Sequence, residues 1–180
     1  MAQENKDTIP YQKLAQNLAS FAIDRTDLKE LLASVPDDQD RNLTTVEYEL
    51  QILKILSVGW AISFFMPDSD AHKKPVSTLY WEFVREIADN ISTLTQTTTG
   101  TTLDYFDIIK TRLDEYVSIM KNAPKEAHNP ANIMGPAFAG MCSTPDDAVN
   151  ILIGTKMFTL TLGAVKEYLN AVKLEDKKLN

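Results

Sequence analysis

Three carboxylates with helical spacing are the first candidates for chemistry in this sequence. Glu82, Glu86 and Asp89 follow one another at steps of four and three residues, which places them on one face of a helix. Carboxylate oxygens are the ligands that Mg²⁺ prefers, so these three residues form a candidate metal site for a Mg-dependent all-α hydrolase. The upstream helix offers Glu47 and Glu49 at the wrong spacing for a second acidic pair, and a charged face in contact with solvent is the alternative that we favour.

The other residue types with catalytic or metal-binding chemistry are few. The chain has two histidines, His72 and His128, and one cysteine, Cys142. None of them lies at a spacing typical of a zinc, dithiol or haem site. A thiol just before a helix can become reactive, but Asp146 and Asp147 oppose this, and we interpret Cys142 as buried and inert. We therefore expect no cofactor.

A second candidate site is apolar and binds a small apolar or amphipathic ligand. Trp60, Phe64, Tyr80 and Trp81 lie on two consecutive predicted helices and are of the type that lines pockets between helices. Lys54 is the one charge among the apolar turns of the first of these helices, and an inward orientation would make it an anchor for a ligand carboxylate. The alternative is that the aromatic rings pack the core and the lysine extends to the surface.

Composition and charge exclude several classes of protein. The chain has 180 residues and a net charge of -7, which predicts one domain over residues 1–180 and no affinity for nucleic acid. We expect residues 1–7 and 175–180 to be frayed. The longest apolar stretch, residues 55–66, is too short to span a bilayer, so we expect no membrane contact. The polar N-terminus and the single cysteine favour a cytoplasmic location.

Hydrophobic periodicity predicts an all-α fold, a single-domain antiparallel bundle of about five helices. The predicted helices cover residues 9–24, with a bent or separate continuation to 35, and then 45–65, 75–94, 102–122 and 145–174. The threonine-rich run at 97–102 is predicted to be a loop. One long connection that contains proline and glycine, residues 123–143, precedes the last helix, and we predict that it is the most mobile internal region.

The last predicted helix is apolar over most of its circumference. Such a helix is covered on two sides, either within the fold or by a second copy of the chain. We expect a homodimer with Leu162, Val165 and Leu169 in its interface. Because no catalytic constellation is evident, we favour a protein that acts by protein–protein association, as a self-assembling or regulatory adaptor. A small-ligand binder is the second interpretation, and an enzyme is the third.

Overall fold

Helices make up most of the part of the chain that the structure describes. In this computed structural model the described residues are 7–35, 42–123 and 129–175. Their elements in chain order are β1 (Asp7–Ile9), α1 (Tyr11–Ile23), α2 (Thr26–Ala33), α3 (Leu43–Phe65), α4 (Lys73–Thr99), α5 (Tyr105–Asn122), α6 (Ala131–Met141), α7 (Ala148–Ala171) and β2 (Val172–Leu174). The predicted all-α fold is confirmed. The described residues contain seven helices rather than about five, because the first predicted helix divides in two and α6 lies within the long predicted connection.

α3 is the central helix of the bundle. It contacts each of the other six helices among the described residues, and every residue from position 52 to position 59 is buried. This burial follows from its sequence, which is apolar on nearly every side. Other helices therefore surround α3, and any polar group in its middle needs a partner inside the protein.

α6 and α7 pack closely because glycines face the neighbouring helix. A Cβ atom added to Gly154 on α7 would lie 2.6 Å from the Cβ of Phe138 on α6, and one added to Gly135 on α6 would lie 2.6 Å from the carbonyl oxygen of Ile151. Both distances are too short for any side chain, so only glycine allows this approach. Mobility of residues 123–143 stays a prediction, but α6 builds residues 131–141 of that connection into the core.

The start of α3 and the end of α4 differ from the sequence predictions. The spacing of Thr44 and Glu47 predicts a capping box at the start of α3, but the side chain of Asn42 accepts the hydrogen bond from the backbone N–H of Thr45 at 3.1 Å. α4 continues through the threonine run as far as Thr99 and ends at Gly100, where φ is +72°. The threonine hydroxyls donate to carbonyls four residues earlier, which satisfies them within the helix.

The two short strands join the two ends of the described chain. β1 pairs with β2 in parallel, with Asp7 opposite Val172 and Ile9 opposite Leu174, and the N–H of Glu175 donates to the carbonyl of Ile9 at 3.1 Å. The predicted last helix therefore ends earlier, at Ala171. Of the residues expected to be frayed, 7 and 175 are ordered here, and the others lie outside the described residues.

α7 is the one described helix that is long and apolar enough to cross a membrane by length and composition alone. Its most apolar window of 18 residues has a mean hydropathy of 1.5, and 39% of that window is buried inside the protein. A core helix of a soluble protein meets the same test, so the finding is weak evidence for a membrane span. It does show that packing within this chain accounts for only part of the apolar surface of α7.

We predict that Gly135→Ala lowers the free energy of unfolding by about 1–3 kcal/mol, since the new methyl group overpacks the contact between α6 and α7. The matched control is Gly140→Ala on the same helix, where an added Cβ meets nothing within 4 Å. This control should be neutral or stabilise by up to about 1 kcal/mol, because alanine favours the helix. Urea denaturation of both variants is the measurement, and equal effects would contradict the close approach of the two helices.

Candidate functional site

One side of α7 is exposed and carries large apolar residues. Leu152 is 53% exposed and Leu160 is 62% exposed, and the space beside Gly163 is open. We name this exposed stripe the α7 face and define it by Leu152, Lys156, Thr159, Leu160, Gly163, Glu167 and Ala171, all of which are exposed. Large exposed apolar residues grouped on one helix are typical of a protein–protein contact.

The interface residues predicted from the sequence lie on other sides of α7. Val165 is 1% exposed and belongs to the core, so it is unavailable to a partner and its assignment to an interface is wrong. Leu162 and Leu169 are half-buried and pack against the same core. The sequence predicted two apolar sides for this helix, but their similar composition did not reveal which one faces inward.

Lys54 is engaged within the protein rather than directed at a ligand. Its side chain is 1% exposed, and its Nζ atom donates to the carbonyl oxygen of Asp24 and to the carboxylate of Asp27, both at 2.7 Å. The ammonium group also lies 4.3 Å from the ring centre of Phe21, a favourable cation–π contact. These three contacts attach the end of α1 and the start of α2 to α3.

The four aromatic residues predicted to line a pocket lie on α3 and α4 but do not enclose a common cavity within the described part of the chain. Tyr80 is buried, and its hydroxyl donates to the carbonyl of Ile55 at 2.6 Å. Trp81 packs edge-on against Tyr80, while Trp60 makes edge contacts with one ring of α5 and one ring of α7. Phe64 is exposed. Five cavities lie among the described residues, and neither Lys54 nor any of these four aromatic residues lines one of them.

The predicted metal residues lie on the surface of α4. Glu82, Glu86 and Asp89 are all exposed. Among the described residues, no group of three or more His, Cys, Asp or Glu is arranged to hold a metal ion. The three carboxylates lie on an exposed face of α4, and metal binding by them stays a prediction.

Two apolar cavities lie between helices at places that the sequence did not indicate. One of about 300 Å³ separates α1 from α7 and is lined by Asn17, Leu18, Phe21, Ala164, Val165 and Tyr168. At its rim the side-chain amide of Asn17 donates to the hydroxyl of Tyr168 at 2.6 Å. The other, an open groove of about 1000 Å³ between α5 and α6, has Ile119, Ile133 and Met141 among its lining residues. Volumes of this order suit small molecules or apolar side chains.

A buried ion pair links α3 to α5. Glu49 is 3% exposed and accepts two hydrogen bonds from Arg112, from Nε at 2.8 Å and from Nη2 at 2.7 Å. The third guanidinium nitrogen, Nη1, donates to Glu115 at 2.8 Å. Hydrogen bonding to Glu49 raises the pKa of Arg112 above its ordinary value. Sequence analysis missed this pair because its members are 63 positions apart and no local pattern connects them.

Cys142 is buried, as the sequence predicted. Burial raises the pKa of its thiol to about 12, and the negative charge of Glu49 acts in the same direction. The thiol therefore stays protonated at neutral pH, and a protonated thiol is a poor nucleophile and a poor metal ligand.

Comparison of this chain with family models, with curated proteins and with solved structures found no match. Of the candidate groups named from the sequence, Lys54 is bonded within the fold and the thiol of Cys142 is protonated, whereas the α7 face is exposed.

We predict that Arg112→Met lowers the free energy of unfolding by about 2–3 kcal/mol, because the carboxylate of Glu49 remains buried without a partner. Lys110→Met on the same helix is the control. Its ion pair with Asp107 is exposed, so this loss should change the free energy by less than about 0.5 kcal/mol. Chemical denaturation of both variants tests the difference, and similar losses would show that the buried pair has no special role.

We predict that native Cys142 reacts with iodoacetamide far more slowly than the same residue in urea-unfolded protein. A pKa of about 12 in place of the ordinary 9.0 lowers the thiolate fraction at pH 8 by roughly a thousandfold. Because burial raises the pKa, the native rate should still be rising with pH above pH 9. Mass spectrometry of the alkylated protein gives both rates, and equal rates in the two states would refute the protected thiol.

Proposed function

We propose that this protein acts by protein–protein association, without catalysis, and that it assembles as a homodimer through the α7 face. The observation that carries the proposal is the exposure of Leu152 and Leu160, 53% and 62%, on a helix of strongly apolar composition. A second copy of the chain that covers these residues removes that apolar surface from water. The reduced, buried cysteine supports a cytoplasmic site of action.

Burial of the α7 face contributes favourable free energy to association. Full burial of one leucine side chain contributes about 1.5–3 kcal/mol, and a homodimer buries the leucines of both copies. Leu152 and Leu160 are eight residues apart, so they lie about two turns from each other on the same side of α7. Gly163 leaves open space next to them, which allows a partner helix to approach closely.

We predict that Leu160→Asp weakens dimerisation by roughly 100-fold, because each dimer then places two charged groups in an apolar contact. Leu94→Asp is the matched control, since Leu94 is 63% exposed but lies on α4, away from the α7 face. Its dimerisation should be unchanged. Sedimentation velocity over a range of concentrations gives the dissociation constants, and circular dichroism checks that each variant is folded.

Two results would overturn the proposal. One is a wild-type protein that remains monomeric at about 100 μM, well above the range of specific dimers. The other is a folded Leu160→Asp protein whose dimer is as stable as that of Leu94→Asp.

A further inference from the structure

The α7 face contains three pairs of residues that are eleven positions apart. In each pair the first residue is large or positively charged. Leu152 precedes Gly163, Lys156 precedes Glu167 and Leu160 precedes Ala171 by this interval. Eleven residues make about three helical turns, so the members of each pair point in nearly the same direction. In these three pairs the first members are two leucines and a lysine, and the second members are two small residues and a glutamate.

Among the residues that the structure describes, the two charges of the α7 face form no ion pair. Neither Lys156 nor Glu167 has an oppositely charged residue three or four positions away on α7, and neither forms an ion pair with any other described residue. Lys166, by contrast, lies over the ring of Phe65. Both Lys156 and Glu167 are exposed, so a partner molecule can reach them.

When the α7 helices of two copies run antiparallel, the first half of the face on one copy lies against the second half on the other. The midpoint between Lys156 and Glu167 falls between residues 161 and 162, and the midpoints between Leu160 and Gly163 and between Leu152 and Ala171 fall at the same point. An antiparallel pair of α7 helices centred there satisfies all three matches at once. A parallel pair in register would instead set lysine against lysine and glutamate against glutamate, which is unfavourable.

We infer that two copies of this chain pack α7 against α7 in an antiparallel arrangement, with the two-fold axis passing between Leu160 and Gly163 on the α7 face. Lys156 of each copy lies beside Glu167 of the partner subunit, and Leu160 fits over Gly163 of the partner subunit. A two-fold contact of this kind is self-complementary, as closed homodimers require. The arrangement rests on the proposed function, and it adds the orientation and the register of the partner.

Charge reversal tests the arrangement directly. Lys156→Glu and Glu167→Lys should each weaken dimerisation by about tenfold, since each dimer then holds two like-charged contacts. The double variant K156E/E167K restores opposite charges and should return the dissociation constant to within about threefold of wild type. Lys121→Glu on α5 is the control for the change in net charge, because Lys121 is exposed and α5 packs against α3, α4 and α6.

A steric variant tests the same register without a change of charge. Gly163→Leu fills the space that Leu160 of the partner subunit needs, so dimerisation should weaken by at least about tenfold. The monomer should melt no lower than wild type, because the site is open in the single chain and leucine favours helix over glycine. A weaker dimer with an unaltered fold is thus the expected result.

The outcomes separate the arrangement from the proposed function. If Leu160→Asp dissociates the dimer but the double reversal does not recover it, or Gly163→Leu leaves dimerisation unchanged, the antiparallel register is wrong while association through the α7 face stands. A wild-type chain that stays monomeric overturns both. Recovery by K156E/E167K together with a weakened Gly163→Leu dimer supports the arrangement.

Discussion

The position of α3 in the middle of the bundle is the constraint on which the rest of the structure depends. The middle of this helix is buried, and α3 carries two charged residues, Glu49 and Lys54, that are almost completely buried. Each is neutralised by a different neighbour, Glu49 by Arg112 of α5 and Lys54 by Asp27 of α2. Because an unpaired buried charge is costly, these pairs fix where α2 and α5 are placed against α3.

The glycine contacts between α6 and α7 determine which side of α7 meets solvent. Gly154 must lie against Phe138 and Gly135 against Ile151, since no other residue fits at these distances. The rotation of α7 about its axis is therefore fixed, with Val165 directed into the core and Leu160 outward. The surface that we propose for association is thus a consequence of packing on the opposite side of the same helix.

Local patterns in the sequence predicted the helical fold well, because proline, capping residues and a period of 3.6 act over a few residues. They failed where a tertiary contact or an unusual local interaction decided the outcome. α6 contains Pro136 and two glycines and resembles a loop in sequence, but burial against α7 stabilises it as a helix. The pair of Glu49 and Arg112 connects distant segments, and the two sides of α7 are too similar in composition for the sequence to distinguish them. Neither role considered for Lys54 included its partner, Asp27, because that residue belongs to another helix.

The parallel pairing of β1 with β2 has a mechanical consequence. Tension applied to the two ends of the chain pulls β1 towards residue 6 and β2 towards residue 176, in opposite directions along the strand axis. Parallel strands loaded in this way are sheared, so the ladder hydrogen bonds resist together instead of opening one after another. The pairing therefore acts as a clamp that must rupture before force reaches the helices, although each strand has only three residues.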